Sequence, residues 1–193
     1  QPLKEGYLLT DSLEPTNEWY AIAKISGVKL IEALRKEYRR DYVSLMPTNL
    51  YGPNDNFDLM SSHVLPAMIR KFHEAKMNGN APVELWGTGS PMREFLHVDD
   101  LSQAVLFALD NELEEHLYNV GTGVDLTIKE LAELIQSVVG HKGEIVWDSS
   151  KPDGTPKKLM DSSKFNRLGW RHKVPLNSGI LNTYRVYLKT LLP

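Results

Sequence analysis

The chain has no cysteine, so a disulfide framework and a thiolate zinc site are both excluded. A reducing compartment, the cytoplasm, is the expectation that follows. No apolar run approaches the roughly 20 residues of a membrane-spanning helix. Excess positive charge is lacking too: the formal net charge is -3, which gives no reason to expect a nucleic acid or an anionic membrane as partner. No P-loop is present, and no G-x-G-x-x-G follows an opening strand, so the usual phosphate-binding turns are missing. Internal repeats and low-complexity runs are absent as well. The chain opens on Q-P-L-K-E-G-Y, without methionine and without the look of a signal peptide, which points to a fragment or a processed product.

What is present is ordinary soluble composition, 41% hydrophobic and 24% charged, over 193 residues, enough for one sizeable core and part of another. Residues 1–16 read as a loop with one short turn. From Asn17 to Tyr38 apolar residues recur at helical spacing, at Ile22, Ile25, Leu30, Ala33 and Leu34. Tyr20 and Lys24 then share one helical face, one turn apart. An ammonium beside a phenol favours phenolate, and a phenol tuned in this way can exchange a proton at a carbonyl or carbinol carbon. The pair on its own fits an amphipathic helix with a solvated lysine equally well.

Residues 42–46 form a strand candidate, followed by a loop over 47–56 dense in Pro, Gly and Asn. In open α/β sheets ligands sit at such carboxyl ends. A helix over 61–76 is expected, with Pro66 near its first turn and His63 at its amino end, where the dipole disfavours imidazolium. A surface histidine that only caps is the alternative. Residues 83–86 are a strand running into a Gly-rich turn, residues 87–93, where Trp86 and Arg93 could stack a base and grip a diphosphate. A hairpin with a buried tryptophan is the other reading. A helix over 99–110 capped by Asp99 or Asp100 follows, then a strand at 117–121. Thr127 and Glu130 form a capping box for a helix stopped by Gly140. A strand at 144–147, a loop at 151–158 and a last helix at about 176–190 complete the pattern. Alternating strands and helices predict an α/β fold.

Taken together, Tyr20-x-x-x-Lys24, P-T-N-L-Y-G-P-N-D-N-F, S-H-V-L-P-A, W-G-T-G-S-P-M-R-E-F-L-H-V-D-D, N-V-G-T-G and K-P-D-G-T-P-K-K resemble the extended short-chain dehydrogenase/reductases. Within that group they are similar to the GDP-4-keto-6-deoxymannose 3,5-epimerase/4-reductases. The resemblance covers almost the whole chain. It implies the last part of a Rossmann-like parallel sheet plus a smaller α/β substrate domain. Residues 1–60 would end the NADP-binding domain and 61–193 would be mainly substrate-binding, with 94–121 returning to the nucleotide domain. Tyr20 would donate a proton at C4 as NADPH delivers hydride, and Lys24 would hold the nicotinamide ribose. Pro47, Thr48, Asn49, Leu50 and His63 would line NADP(H), and His63 would be the acid in epimerisation at C3 and C5. Lys71, Trp86, Arg93, Asp153 and Lys158 would contact GDP-4-keto-6-deoxymannose; the family pattern often has Arg at position 71. The resemblance also implies a homodimer through the Tyr20 helix in the full-length enzyme.

The family's amino-terminal cofactor turn, triad Ser and catalytic Cys are not in this sequence. The expectation is a carboxyl-terminal portion that exposes apolar surface, binds NADPH poorly, keeps a weakened GDP-sugar half-site and is inactive alone. A 4-epimerase or 4,6-dehydratase of the same superfamily, and a non-catalytic GDP-sugar-binding module, are the alternatives.

Overall fold

A computed structural model of the protein describes residues 1–192. The strands pair mostly in parallel, as the alternation of strands and helices predicts. Helix α1, Glu18–Tyr38, precedes β1 (Ser44–Pro47) and β2 (Asn49–Tyr51). Then come α2 (Val64–Met77), β3 (Val83–Trp86), β4 (Met92–His97), α3 (Val98–Asp110), β5 (Leu117–Val120) and β6 (Asp125–Thr127). Helix α4 (Ile128–Val139), β7 (Ile145–Asp148), β8 (Lys157–Lys158), α5 (Ser163–Arg167) and α6 (Leu176–Thr190) close the order. β1 pairs with β5, and β3 with β7, both in parallel. β4 is the hub of the remaining sheet: it pairs with β2 and β8 in parallel and with β6 antiparallel.

Two cores lie on the two faces of β4. Successive strand side chains point to opposite faces, so Phe95 joins Phe72, Ile69, Leu131, Ile135 and Ile180 between α2, α4 and α6. Its neighbour Leu96 joins Tyr118, Val120, Phe165 and Trp170 around α3 and β5. Burial of these side chains is the main driving force for the fold.

The capping box forms as the sequence predicts: Thr127 accepts from the Glu130 amide, Glu130 accepts from the Thr127 amide, and Gly140 ends α4 in a left-handed conformation. Other expectations need correction. Residues 1–16 are more than a loop with one short turn: they carry 3-10 turns at Glu5–Tyr7 and from Pro15, and a bridge from Leu3 to Met160. The 47–56 stretch contains β2, because β4 offers it a parallel edge. Helix α2 starts at Val64, so His63 is itself the N-cap residue. The cap of α3 is His97, whose Nδ1 accepts from the Asp99 amide at 3.2 Å. Asp100 is instead buried and accepts from the Lys173 and Val174 amides at 2.8 and 3.0 Å. Arg93 belongs to β4 rather than to the turn before it.

Helix α1 stands apart. None of its 21 residues is buried. Arg35 holds its carboxyl end, donating to the carbonyls of Tyr42, Leu113 and Glu114. Trp19, Tyr20, Ile22 and Leu30 remain exposed.

Candidate functional site

The candidate side chains fall into three groups. On α1, Lys24 Nζ lies 5.4 Å from the centroid of the Tyr20 ring, as the spacing of four dictates. Tyr20 is 61% exposed and open to a ligand. Among the described residues no hydrogen bond links either side chain to the second group.

That second group lines a pocket of about 250 Å³ formed by Leu50, Tyr51, Gly52, Pro53, Asn54, Asp55, His63 and Val98. β2 delivers the chain to the pocket floor, and the start of α2 brings His63 to its wall. His63 makes no side-chain capping bond, so its ring is not committed to the helix end. Gly52 is required by close approach, since a Cβ there would overlap Val98. Beneath the pocket, Tyr51 stands edge-on to His97, with centroids 5.3 Å apart. Burial, and then the nearby Asp100 charge, hold the Tyr51 hydroxyl protonated far above its ordinary range. Before the pocket, the side chains of half-buried Thr48 and exposed Asn49 both donate to the Glu94 carbonyl, at 3.2 and 2.7 Å. Pro47 closes β1, and the Thr48 amide donates to the Val120 carbonyl at the end of β5. The backbone at Pro47 and Thr48 therefore lies at the carboxyl ends of the parallel pair β1 and β5, where α/β folds take ligands, and Asn49 and Leu50 open β2.

The third group surrounds the end of β3. Trp86 is 67% exposed, and β3 pairs with β7 rather than β4, so the hairpin with a buried tryptophan is not formed. Lys151 Nζ lies over the Trp86 ring at 5.7 Å. Asp153 reaches across to the turn: its Oδ1 accepts from the Thr88 amide at 2.7 Å and its Oδ2 from the Thr88 hydroxyl at 2.8 Å. Gly87, with φ of 80°, leaves room for that carboxylate, which a Cβ would overlap. Arg93 is half-buried, bonds only its neighbour's carbonyl, Met92 at 2.8 Å, and has no salt bridge among the described residues. Burial pushes its guanidinium below the ordinary value. Lys158 sits opposite Arg93 in the β4–β8 register. Two cations on adjacent strands, without carboxylate partners among the described residues, can neutralise a phosphate group. Lys71 lies close by on α2, but its ammonium donates to the Glu84 carbonyl at 3.0 Å.

The model of the NAD dependent epimerase/dehydratase family matches residues 1–121. The chain belongs to that family. Two curated members of similar sequence are plant proteins. "GDP-L-fucose synthase 1" of Arabidopsis thaliana is 59% identical over 191 residues, covering 99% of this chain and 59% of that protein. "Probable GDP-L-fucose synthase 1" of Oryza sativa subsp. japonica is 58% identical over 192 residues, covering 100% of this chain and 58% of that one. The chain thus spans under three fifths of the length of these relatives. Among solved structures, a GDP-L-fucose synthetase from Naegleria fowleri bound to NADP superposes with a TM-score of 0.91 at 29% identity, over 98% of this chain and 61% of that one.

For an epimerase/dehydratase family member, two residues near the site escaped sequence reasoning. His97 is 2% exposed and its Nε2 has no partner among the described residues. Glu94 is fully buried, between Arg93 and Phe95 in β4. Its only sequence signal is a carboxylate set between Arg93 and Phe95 in a strand.

Proposed function

We propose that the protein is a GDP-4-keto-6-deoxy-D-mannose 3,5-epimerase/4-reductase that forms GDP-L-fucose and uses NADPH. One observation carries the reading: Trp86, Arg93, Asp153 and Lys158 gather at the end of β3 in a chain 58–59% identical to GDP-L-fucose synthases. The indole would stack the guanine, while Arg93 and Lys158 would neutralise the diphosphate. Arg93 is the stronger anchor because its planar fork matches two phosphate oxygens at once. Lys71 would add charge from α2 once released from the Glu84 carbonyl.

Tyr20, Lys24, the Pro47–Leu50 backbone and His63 would hold the nicotinamide end of NADPH. The support is an exposed Tyr–Lys pair and a backbone run that starts at parallel strand ends. When bound, NADPH supplies hydride to the keto carbon. Tyr20 gives the proton to the oxygen at C4, and Lys24 holds the ribose and keeps positive charge beside the phenol. His63, free of capping duty in a pocket wall, protonates the sugar carbon during epimerisation at C3 and C5. In this reading residues 1–60 with 94–121 form the cofactor side, and most of 61–193 the substrate side. A homodimer through α1 is part of the proposal, supported by a 21-residue helix with no buried residue.

Calorimetric titration with GDP, UDP and ADP tests the substrate class. Preferential binding of GDP is expected. Equal affinity for UDP would remove the guanine assignment and favour a UDP-sugar enzyme of the same family.

A further inference from the structure

We propose that Glu94 is a positioning residue for the nucleotide site: its carboxylate ties the turn after β5 to the segment after β8, and so sets Lys158 against Arg93. The inference rests on the GDP-sugar reading above and adds to it a residue that touches no ligand.

Glu94 is 0% exposed. Its Oε1 accepts from the Gly123 amide at 2.7 Å and from the Thr122 hydroxyl at 3.2 Å. Its Oε2 accepts from the Met160 amide at 3.0 Å. No cation pairs with it among the described residues. Burying a carboxylate without a counter-charge costs several kcal/mol unless donors replace its water. Here three protein donors do so. An apolar side chain would fill the same space in the core at less cost, so packing alone does not account for a carboxylate at this position.

Its position explains what the carboxylate does. Arg93 and Glu94 are neighbours in β4 and point to opposite faces. Only a carboxylate offers acceptors on both oxygens, and these reach two segments that are far apart in sequence. One is the N-V-G-T-G turn, where Gly121 must lack a side chain because a Cβ would overlap Glu94 Oε1. The other is the chain leaving β8, two residues after Lys158. With Met160 fixed from below, β8 keeps its register of Lys157 opposite Met92 and Lys158 opposite Arg93. The Glu94 carbonyl meanwhile holds Thr48 and Asn49 on the cofactor side. The side chain therefore serves the diphosphate cations, and the backbone serves the Pro47–Leu50 run.

This division gives a test that a merely structural residue would fail. Glu94→Gln keeps the size but leaves one acceptor oxygen, so one of the two segments faces an amide donor instead of an acceptor. The carbonyl contacts to Thr48 and Asn49 survive. In the natural full-length protein, GDP affinity should fall about tenfold, the scale of one lost hydrogen bond to a charged group, while NADPH affinity holds. Glu94→Asp, which keeps both acceptors on a shorter stem, should recover part of the loss. Unchanged GDP affinity in Glu94→Gln, or equal weakening of both ligands, would overturn the inference. If neither variant folds, amide exchange in the wild-type protein decides: adding GDP should slow the Gly123 and Met160 amides together. Exchange at both sites indifferent to GDP would overturn it. A wild-type protein that prefers UDP, with UDP binding weakened selectively by Glu94→Gln, would refute the GDP reading and keep this one. A wild-type protein that binds no nucleoside diphosphate would remove both.

Discussion

Replacing Gly87 by alanine should weaken GDP binding although residue 87 need not touch the ligand. The glycine has φ of 80°, a conformation that costs an L-residue about 1–2 kcal/mol. Its missing Cβ is also the space that Asp153 Oδ1 occupies. A methyl there forces the Asp153 carboxylate away from Thr88, breaking the bonds of 2.7 and 2.8 Å that join the 87–90 turn to the 151–158 loop. Each is worth about 1 kcal/mol net at this exposed position, toward the low end for charged acceptors. The turn carries Trp86 at one end and leads to Arg93 at the other, and the loop carries Lys158, so freeing them from one another disorders the groove. A loss of about 1–2 kcal/mol in binding corresponds to roughly 5–30-fold in Kd. Calorimetry with GDP measures it, and Asp153→Ala provides the parallel variant because it removes the same two bonds without backbone strain. Both variants should lose GDP affinity by similar factors, and Gly87→Ala should also lose about 2–8 °C in Tm from its added strain. Wild-type GDP affinity in Asp153→Ala would refute the clasp and leave Gly87 as a conformational requirement only.

Other consequences are as direct. Tyr20→Phe should lower kcat for reduction by about 10²–10⁴ with little change in GDP-sugar affinity; an unchanged kcat in steady-state assays would rule out Tyr20 as the acid. His63→Gln should slow solvent deuterium exchange at C3 and C5 more than reduction at C4, and wild-type exchange would leave His63 with no chemical role. Arg93→Lys should weaken GDP binding despite conserving charge, because an ammonium loses the two-point grip; equal affinity would show that only charge is read. His73 donates or accepts with the Tyr184 hydroxyl at 3.0 Å, and burial, then Lys76, hold its imidazole below the ordinary value of about 6.5. The unfolded chain therefore takes up the proton first, so this contribution to stability is present above about pH 6.5 and is lost as pH falls from there through the lower folded-state value. His73→Gln should flatten the fall in Tm between about pH 7 and 5; an identical acid slope in both proteins would contradict this.

The elements that the sequence makes legible are those whose signals are local. α4 announces itself by Thr127, Glu130 and Gly140, because capping is chemistry within four residues. β3 reads as a short alternating segment, β7 as a short apolar run, and α1 as a long periodic one. β2, β6 and β8 have two or three residues each, too few for any period to register. They exist because β4 presents edges for them, which is information held elsewhere in the chain. The cap of α3 is hidden for a related reason. Asp99 and Asp100 are favoured cap residues, yet His97 sits two residues before Asp99 and its ring nitrogen takes the bond. Asp100 was drawn inward to the 173–174 backbone, a partner more than seventy residues away. Of the candidate site, the residue types were legible and the clustering was not. Nothing in the spacing of Arg93, Asp153 and Lys158 says that β8 pairs with β4 or that Asp153 closes on Thr88. Glu94 was hardest to find, because a buried carboxylate in a strand looks like any exposed one until its donors are known.

The most direct test of the account is the product formed from GDP-4-keto-6-deoxy-D-mannose and NADPH by the natural full-length protein, with its configuration read by proton NMR in deuterated water. The expected product is GDP-L-fucose, with deuterium at C3 and C5, formed at a rate that collapses in Tyr20→Phe. A product reduced at C4 but retaining the original configuration and hydrogen at C3 and C5 would contradict it, and would identify a reductase without epimerase activity.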